Sequence, residues 1–138
     1  MNISVELLFE TANLLILPAW IILMFAPQWH WTKKIITTGY YTVGFSILYL
    51  LIITFNFDLN NFNFNTLDNV KKIFSNDYFL VAGWVHYLAF DLLVGTWIVK
   101  DAEESEIQSP ILVPILAFCF YLGPIGYLTY RVYKFIKL

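Results

Sequence analysis

The sequence has few charged residues and almost no cysteine. Charged side chains make up 13% of its 138 residues, whereas about 25% is usual for a soluble globular domain. A single cysteine, Cys119, excludes an intrachain disulfide and a cysteine-based metal site. The net charge of −2 gives no basic surface for nucleic acid. We therefore predict no metal site, no cofactor and no nucleic-acid partner.

The short motifs of soluble enzymes are also missing. The chain contains no P-loop, no G-x-G-x-x-G, no G-x-S-x-G and no H-E-x-x-H. Its first residues include Glu6 and Glu10 but no lysine or arginine, so we expect no cleavable signal peptide. Any chemistry must come from a different arrangement of side chains.

Long apolar runs dominate what is present. Hydrophobic residues make up 59% of the chain, and the mean hydropathy is +0.67. Four runs approach the roughly 20 residues that a helix needs to cross a bilayer. We predict one all-α domain, a four-transmembrane-helix bundle in contact with membrane lipid. The predicted spans are residues 5–25, 35–55, 78–99 and 111–132, with an interfacial loop at 56–77.

The fourth predicted helix is interrupted at Gly123-Pro124, because proline lacks the N–H that continues a helix. Broken backbone at membrane depth persists where it is buried in protein or lines a cavity. The interruption is therefore a candidate place for a binding site.

The third predicted span carries two ionisable side chains near its middle. His86 and Asp91 each lie within about 4 Å of the bilayer centre along the helix axis. A central Asp costs about 2.5–3.5 kcal/mol on insertion scales, which makes it a candidate for function. The two residues are about 140° apart around the helix and about 7.5 Å apart in height. Either they contact different helices, or a ligand passes around the helix and touches both.

Aromatic and polar residues share the helical faces of these two positions. Trp84 and Tyr87 lie on the Asp91 face, and Trp97 lies on the His86 face. The predicted catalytic residues are Asp91 and His86. The predicted ligand-binding residues come from these faces, from the first span and from the interruption: Asn13, Trp20, Trp84, Tyr87, Trp97, Gly123 and Pro124.

One polar stripe runs along the first span. Glu6, Glu10 and Asn13 follow helical spacing, and the stripe continues to Trp20. Glu10 and Asn13 lie deep enough that we expect them to face protein instead of lipid. They either form hydrogen bonds with a neighbouring helix or line a site.

The stretch Gly83–Trp97, GWVHYLAFDLLVGTW, resembles a known signature. The abscisic-acid-deficient-four-like family of small membrane proteins carries W-x-H-x-L-A-F-D-L-F-x-G. Further matches fall in the first and last spans: Asn13, Pro18, Trp20, Pro27, Gly123, Pro124, Gly126 and Tyr130. Plant members are associated with making neoxanthin from violaxanthin. The resemblance implies four helices and a hydrophobic small molecule, a carotenoid or other long isoprenoid, as ligand.

Three functions are compatible with these residues. An intramembrane isomerase would convert an epoxide to an allenic alcohol, with Asp91 as acid, His86 as base and either Tyr87 or a tyrosine of the second span as an auxiliary donor. A non-catalytic protein would bind pigment or lipid, since 20% of the residues are aromatic. A proton or small-solute pathway would need a homo-oligomer, because four short helices rarely enclose a pore.

The charges of the connecting segments and chain ends predict how the protein is oriented in the membrane. Four crossings would place both termini on one side, with five lysine and arginine residues there and three on the other side. We therefore expect both termini in the cytoplasm. Nothing resembles a plastid transit segment, so we expect the inner membrane of a bacterium. Leu67, Val70, Lys71, Ile73 and Phe74 fit one or two amphipathic turns that lie on the membrane surface. The acidic patch from Asp101 to Glu106 fits a solvated turn, with a cation site as the alternative.

Overall fold

The computed structural model describes residues 4–56, 63–107 and 109–137, and within these ranges the chain forms helices and no strands. This confirms the all-α prediction. The α-helices are α1 (Val5–Phe25), α2 (Tyr40–Asn56), α3 (Leu67–Phe74), α4 (Asp77–Glu104) and α5 (Ser109–Lys137). Three of them, α1, α4 and α5, are long and apolar enough to cross a membrane. The 17 residues of α2 give about 26 Å of helix.

Side-chain caps define where several helices begin. The Ser4 hydroxyl accepts a hydrogen bond from the Leu7 N–H at the start of α1. Asn76 accepts from the N–H groups of Tyr78 and Phe79 at the start of α4. Such caps satisfy backbone donors that a helix start leaves free. The short helix α3 confirms the amphipathic segment predicted in the loop, of which residues 57–62 lie outside the described ranges.

The second predicted span does not start as one continuous helix. A π-helical segment covers Thr32–Thr37, and α2 begins only at Tyr40. Gly39 joins the two with a φ of 92°, a left-handed conformation that glycine adopts without a steric penalty. The glycine therefore separates two helical segments where the hydrophobic pattern had indicated a single helix from residue 35.

The central helix is α4, which packs against each of the other α-helices. The direction of α1 follows from two contacts: the Trp84 indole donates to Asn13, and the Trp20 ring fills the place of a side chain at Gly95. Trp20 follows Asn13 along α1, just as Gly95 follows Trp84 along α4, so the two helices run parallel.

α2 runs in the opposite direction. Its Tyr49 lies against His86 of α4, with ring centroids 5.5 Å apart. Near its end, Ile53 lines a groove with Val5 and Phe9 of the first half of α1, whereas Tyr41, near its start, lies with Pro18 and Ile22 of the second half. The Tyr41 hydroxyl also donates to the Leu15 carbonyl at the middle of α1. That carbonyl is next to the one that Pro18 leaves without a donor, so Tyr41 supports α1 where the proline weakens it.

α5 folds back on itself. Leu122 has φ −143° and ψ 44°, which is not helical. Just before it, the carbonyl of Tyr121 accepts from the Tyr87 hydroxyl at 2.9 Å. A straight helix would carry Lys134 about 20 Å beyond Tyr121 towards the start of α4. Lys134 Nζ instead lies 2.6 Å from Asp101 Oδ2, near the end of α4.

We call residues 109–137 the re-entrant hairpin, with a descending leg at 109–121, a tip at Leu122-Gly123-Pro124 and a returning leg at 125–137. The two legs touch closely, because a Cβ at Gly126 would overlap the backbone of Cys119. The interruption at Gly123-Pro124 is thus confirmed. The sequence predicted one interrupted helix running in one direction over 111–132, but the chain reverses at the tip. The start of α1 and the end of α5 therefore lie at opposite ends of α4.

The acidic patch is also different from the expected solvated turn. Its first half belongs to α4, which continues to Glu104. Asp101 turns towards the returning leg and pairs with Lys134, whereas Glu103 forms an exposed ion pair with Lys33 at 2.7 Å. A patch that looks uniform in the sequence therefore contains one inward carboxylate that ties two helices together.

Candidate functional site

Asp91 lies at the tip of the re-entrant hairpin. It belongs to the buried face of α4, and only 8% of its surface is exposed. A Cβ built on Gly123 would overlap the Asp91 carboxyl group, so the glycine is what allows the tip to approach. Within the described part of the chain, Asp91 Oδ2 has no hydrogen-bond partner. A buried polar atom of this kind is rare in native proteins and points to a role beyond packing.

Tyr87 holds the tip against α4. Pro124 has no N–H, so the carbonyl four residues earlier, that of Phe120, loses its helical donor. The Tyr87 hydroxyl lies 2.9 Å from the Tyr121 carbonyl and 3.5 Å from the Phe120 carbonyl. It therefore covers backbone acceptors that the break exposes, one helical turn before Asp91.

Trp20 forms the opposite wall of the tip. It is 2% exposed, and its ring lies 2.7 Å from where a Cβ of Gly95 would be. It also packs edge-on against Phe120 of the descending leg, with ring centroids 5.5 Å apart. Like Asp91 Oδ2, the Trp20 Nε1 atom is buried without a partner in the described ranges. One unpartnered donor and one unpartnered carboxyl oxygen thus belong to residues that pack at the same break.

His86 is on a different side of α4. It is exposed, stacks on Phe90 with ring centroids 4.5 Å apart and lies against Tyr49 of α2. The structure therefore does not bring His86 and Asp91 together, in agreement with their angular separation on the helical wheel.

His86 instead lines a groove of about 840 Å³, which we call the lateral groove. It lies where α1, α2 and α3 meet the first half of α4, and its walls are mainly apolar and aromatic: Phe9, Tyr49, Ile53, Phe74, Trp84 and His86. This groove is the second place at which a hydrophobic molecule could bind.

The remaining predicted binding residues have other roles. Asn13 accepts from the Trp84 indole at 2.8 Å, which supports the interhelical reading of the polar stripe. Glu10 is exposed, so the expectation that it faces protein is wrong. Trp97 packs against Tyr127 and Tyr130 of the returning leg. Of the seven predicted binding residues, four surround the tip: Trp20, Tyr87, Gly123 and Pro124.

A polar cluster near the end of α4 was not predicted. The buried Tyr130 donates its hydroxyl hydrogen to Asp101 Oδ2, the same oxygen that Lys134 contacts. Tyr130 and Lys134 are four residues apart, so they lie on one face of a helix and can reach one carboxylate. The spacing of four residues between Tyr130 and Lys134 was the feature of the sequence that could have indicated this cluster. In the described ranges, no three His, Cys, Asp or Glu residues come together to hold a metal ion.

Comparison with known proteins gives a family match over most of the chain. The family model described as ABA DEFICIENT 4-like matches residues 7–130. The chain is 27% identical over 137 residues to the Arabidopsis thaliana protein named Protein ABA DEFICIENT 4, chloroplastic. The match covers 93% of this chain and 60% of that protein. No solved structure matches the chain. The extent of the family match shows that the chain belongs to the ABA DEFICIENT 4-like family.

Proposed function

We propose that this chain is a membrane protein that binds a carotenoid or another long isoprenoid and isomerises it by acid–base chemistry at the hairpin tip. Family membership supports a role related to that of ABA DEFICIENT 4. The family's association with neoxanthin synthesis suggests the class of ligand. The chain spans 60% of the length of the Arabidopsis protein. The activity of that whole protein is therefore only proposed for this chain.

One observation carries the catalytic part: the Asp91 carboxyl is buried at the tip and one of its oxygens has no partner. A carboxyl group shielded from water favours its neutral form and can donate a proton. Protonation of an epoxide oxygen is the step that opens an epoxide ring towards an allenic alcohol. Discontinuous helices supply substrate sites at the midplane of other membrane proteins, and the tip has that character.

The roles of the other predicted residues follow from their contacts. The Tyr87 hydroxyl donates to the Tyr121 carbonyl, so Tyr87 positions the tip and is not free to serve as an auxiliary donor to a ligand. His86 opens into the lateral groove. Because that groove lies on a different side of α4, His86 is not the base for a proton next to an epoxide held at Asp91. The Asp91 carboxylate that forms on donation to the epoxide oxygen is the group that takes up the ring-adjacent proton, which restores the acid.

The membrane arrangement that we propose has three crossings, α1, α2 and α4, with the re-entrant hairpin entering from one side. Six cations lie at the end where α4 finishes, against two at the other end in the described ranges: Lys33, Lys34, Lys100, Arg131, Lys134 and Lys137 against Lys71 and Lys72. The positive-inside rule places the larger group on the cytoplasmic side, or on the stromal side of a plastid membrane. The bacterial inner membrane receives no support, since the Arabidopsis relative is named as chloroplastic.

The direct test is conversion by the purified protein in lipid nanodiscs. Epoxy-carotenoids are incubated with the wild type and with Asp91→Asn, and the products are separated and weighed by mass spectrometry. We expect a product of unchanged mass and a rate at least about 100-fold lower for Asp91→Asn, because general acids contribute factors of 10²–10⁴. Glu10→Gln, an exposed carboxyl group on α1, is the matched control. Unchanged chromatograms with a range of epoxides would remove the catalytic proposal.

A second candidate, non-catalytic pigment or lipid binding, is favoured by the lateral groove. Its volume of about 840 Å³ and its aromatic walls suit part of a flat polyene. Expression in a carotenoid-producing host and a visible spectrum of the purified protein test this function. A coloured preparation that converts nothing would select binding over catalysis, and a colourless one would count against both.

A further inference from the structure

The two unpartnered atoms at the hairpin tip are chemically complementary to one kind of ligand group. Trp20 Nε1 carries a hydrogen and can only donate, whereas a carboxyl group such as that of Asp91 accepts, and donates when protonated. Both residues are more than nine-tenths buried. Leaving two such atoms unpaired costs folding energy, since each lost its water on burial.

The contacts of Trp20 place the six-membered ring of its indole one helical turn from Asp91. Gly95, whose missing side chain makes room for the Trp20 ring, is one helical turn after Asp91 on the same face of α4. That turn separates the two Cα atoms by about 6 Å. On the hairpin side, Trp20 packs on Phe120, and the neighbouring Cys119 thiol lies 3.7 Å from the Asp91 carbonyl oxygen.

We propose that Trp20 and Asp91 together bind one oxygen atom, a hydroxyl or epoxide oxygen carried by an otherwise apolar ligand. An epoxide oxygen accepts from the indole N–H and from the protonated carboxyl group through its two lone pairs. A hydroxyl group accepts from Trp20 and donates to Asp91. This inference rests on the proposed function and deepens it, because it adds Trp20 as a contact and requires an oxygenated ligand.

The residues around the tip favour a ligand that is apolar except for a single polar group. Gly95 and Gly123 remove side chains where Trp20 and Asp91 must approach, while Tyr121 and Leu122 expose apolar surface at the tip. A molecule dissolved in the lipid would meet this apolar surface before the two polar atoms. A hydrocarbon that entered would leave both of them unpaired, so the site discriminates against it.

Binding measurements with a matched pair of ligands test the inference. A C40 polyene hydrocarbon and the same polyene with epoxide or hydroxyl groups on its end rings are titrated into nanodisc-embedded protein, with the polyene absorption band as readout. The wild type should prefer the oxygenated polyene. Trp20→Phe should reduce that preference by roughly 3- to 10-fold, the size of one hydrogen bond. Trp29→Phe, at an exposed tryptophan in the connection that follows α1, should keep it.

A spectroscopic measurement keeps the test independent of how well the variant folds. Ultraviolet resonance Raman bands of tryptophan report hydrogen bonding of the indole N–H. In the wild type, the oxygenated polyene should change these bands and the hydrocarbon should not. The difference should disappear in Trp20→Phe and persist in Trp29→Phe.

The outcomes separate this inference from the proposed function. If Trp20→Phe keeps the full preference, or weakens both ligands equally, Trp20 is a packing residue and the inference is overturned. If the wild type binds both polyenes alike yet converts an epoxide, the inference fails and the proposed catalysis stands. If the preference depends on Trp20 but nothing is converted, the inference stands and catalysis fails.

Discussion

Lys134 and Asp101 lie 2.6 Å apart, although α5 begins after Asp101 and runs for 25 further residues before it reaches Lys134. A straight helix of that length would separate Lys134 from its own start by about 38 Å. The ion pair therefore requires the helix to reverse. The reversal at Leu122-Gly123-Pro124 brings the tip to Asp91 and the end of the chain back to the end of α4.

The first prediction concerns the two ends of the chain. Glu6→Cys and Lys137→Cys should be labelled by a membrane-impermeant maleimide from opposite sides of sealed vesicles, since α1 starts and α5 ends at opposite ends of α4. The native Cys119 is buried and should not react. Glu103→Cys should share the accessibility of Lys137→Cys. Labelling of Glu6→Cys and Lys137→Cys from the same side would restore a four-crossing arrangement.

The second prediction concerns the cluster that holds the returning leg. Lys134→Met leaves the Asp101 carboxylate without its cation, and Tyr130→Phe removes its other donor. Each variant should lower the free energy of unfolding by about 1.5–3 kcal/mol, the range for hydrogen bonds to charged groups. Reversible denaturation in mixed micelles measures the change. Lys137→Met, at an exposed position on the same leg, should cost little, and equal losses in all three variants would contradict the role of the cluster.

The third prediction compares a glycine at the hairpin tip with a glycine inside a helix. Gly123→Ala forces a methyl group against the Asp91 carboxyl group, so we expect a loss of about 1–3 kcal/mol, typical of overpacking. Gly44→Ala in α2 meets no atom within 4 Å and should be neutral or stabilise by up to about 1 kcal/mol, because alanine favours helix. Thermal unfolding in detergent checks both. A stable Gly123→Ala protein would show that the tip stands further from α4.

The fourth prediction concerns the hydrogen bond between α1 and α4. In a double-mutant cycle, Asn13→Ala and Trp84→Phe should couple by about 0.5–1.5 kcal/mol, as interhelical hydrogen bonds in membrane proteins do. Unfolding free energies of the four proteins provide the coupling. A value near zero would mean that the 2.8 Å contact contributes no net stability.

The local features of the site were predictable from the sequence. Helical periodicity separated His86 from Asp91, and Pro124 next to Gly123 indicated a break. Both follow from backbone geometry within a few residues. The position of α3 likewise followed from its amphipathic spacing.

The direction of the chain after the break was not predictable in the same way. A break does not set the angle between two helical segments, because that angle depends on contacts distant in sequence. Here the contacts join Lys134 to Asp101 and Tyr121 to Tyr87, each more than 30 residues apart. Both legs are apolar, so the hydropathy of residues 109–137 is that expected of a single helix that crosses the membrane.

The hairpin tip ends beside Asp91, halfway along α4, and this depth has a consequence for the shape of the molecule. With the three crossings proposed above, the leaflet at the end of α4 would hold five helical segments, whereas the other would hold three, with the short helix α3 packed beside them. The protein would then displace unequal amounts of lipid from the two leaflets.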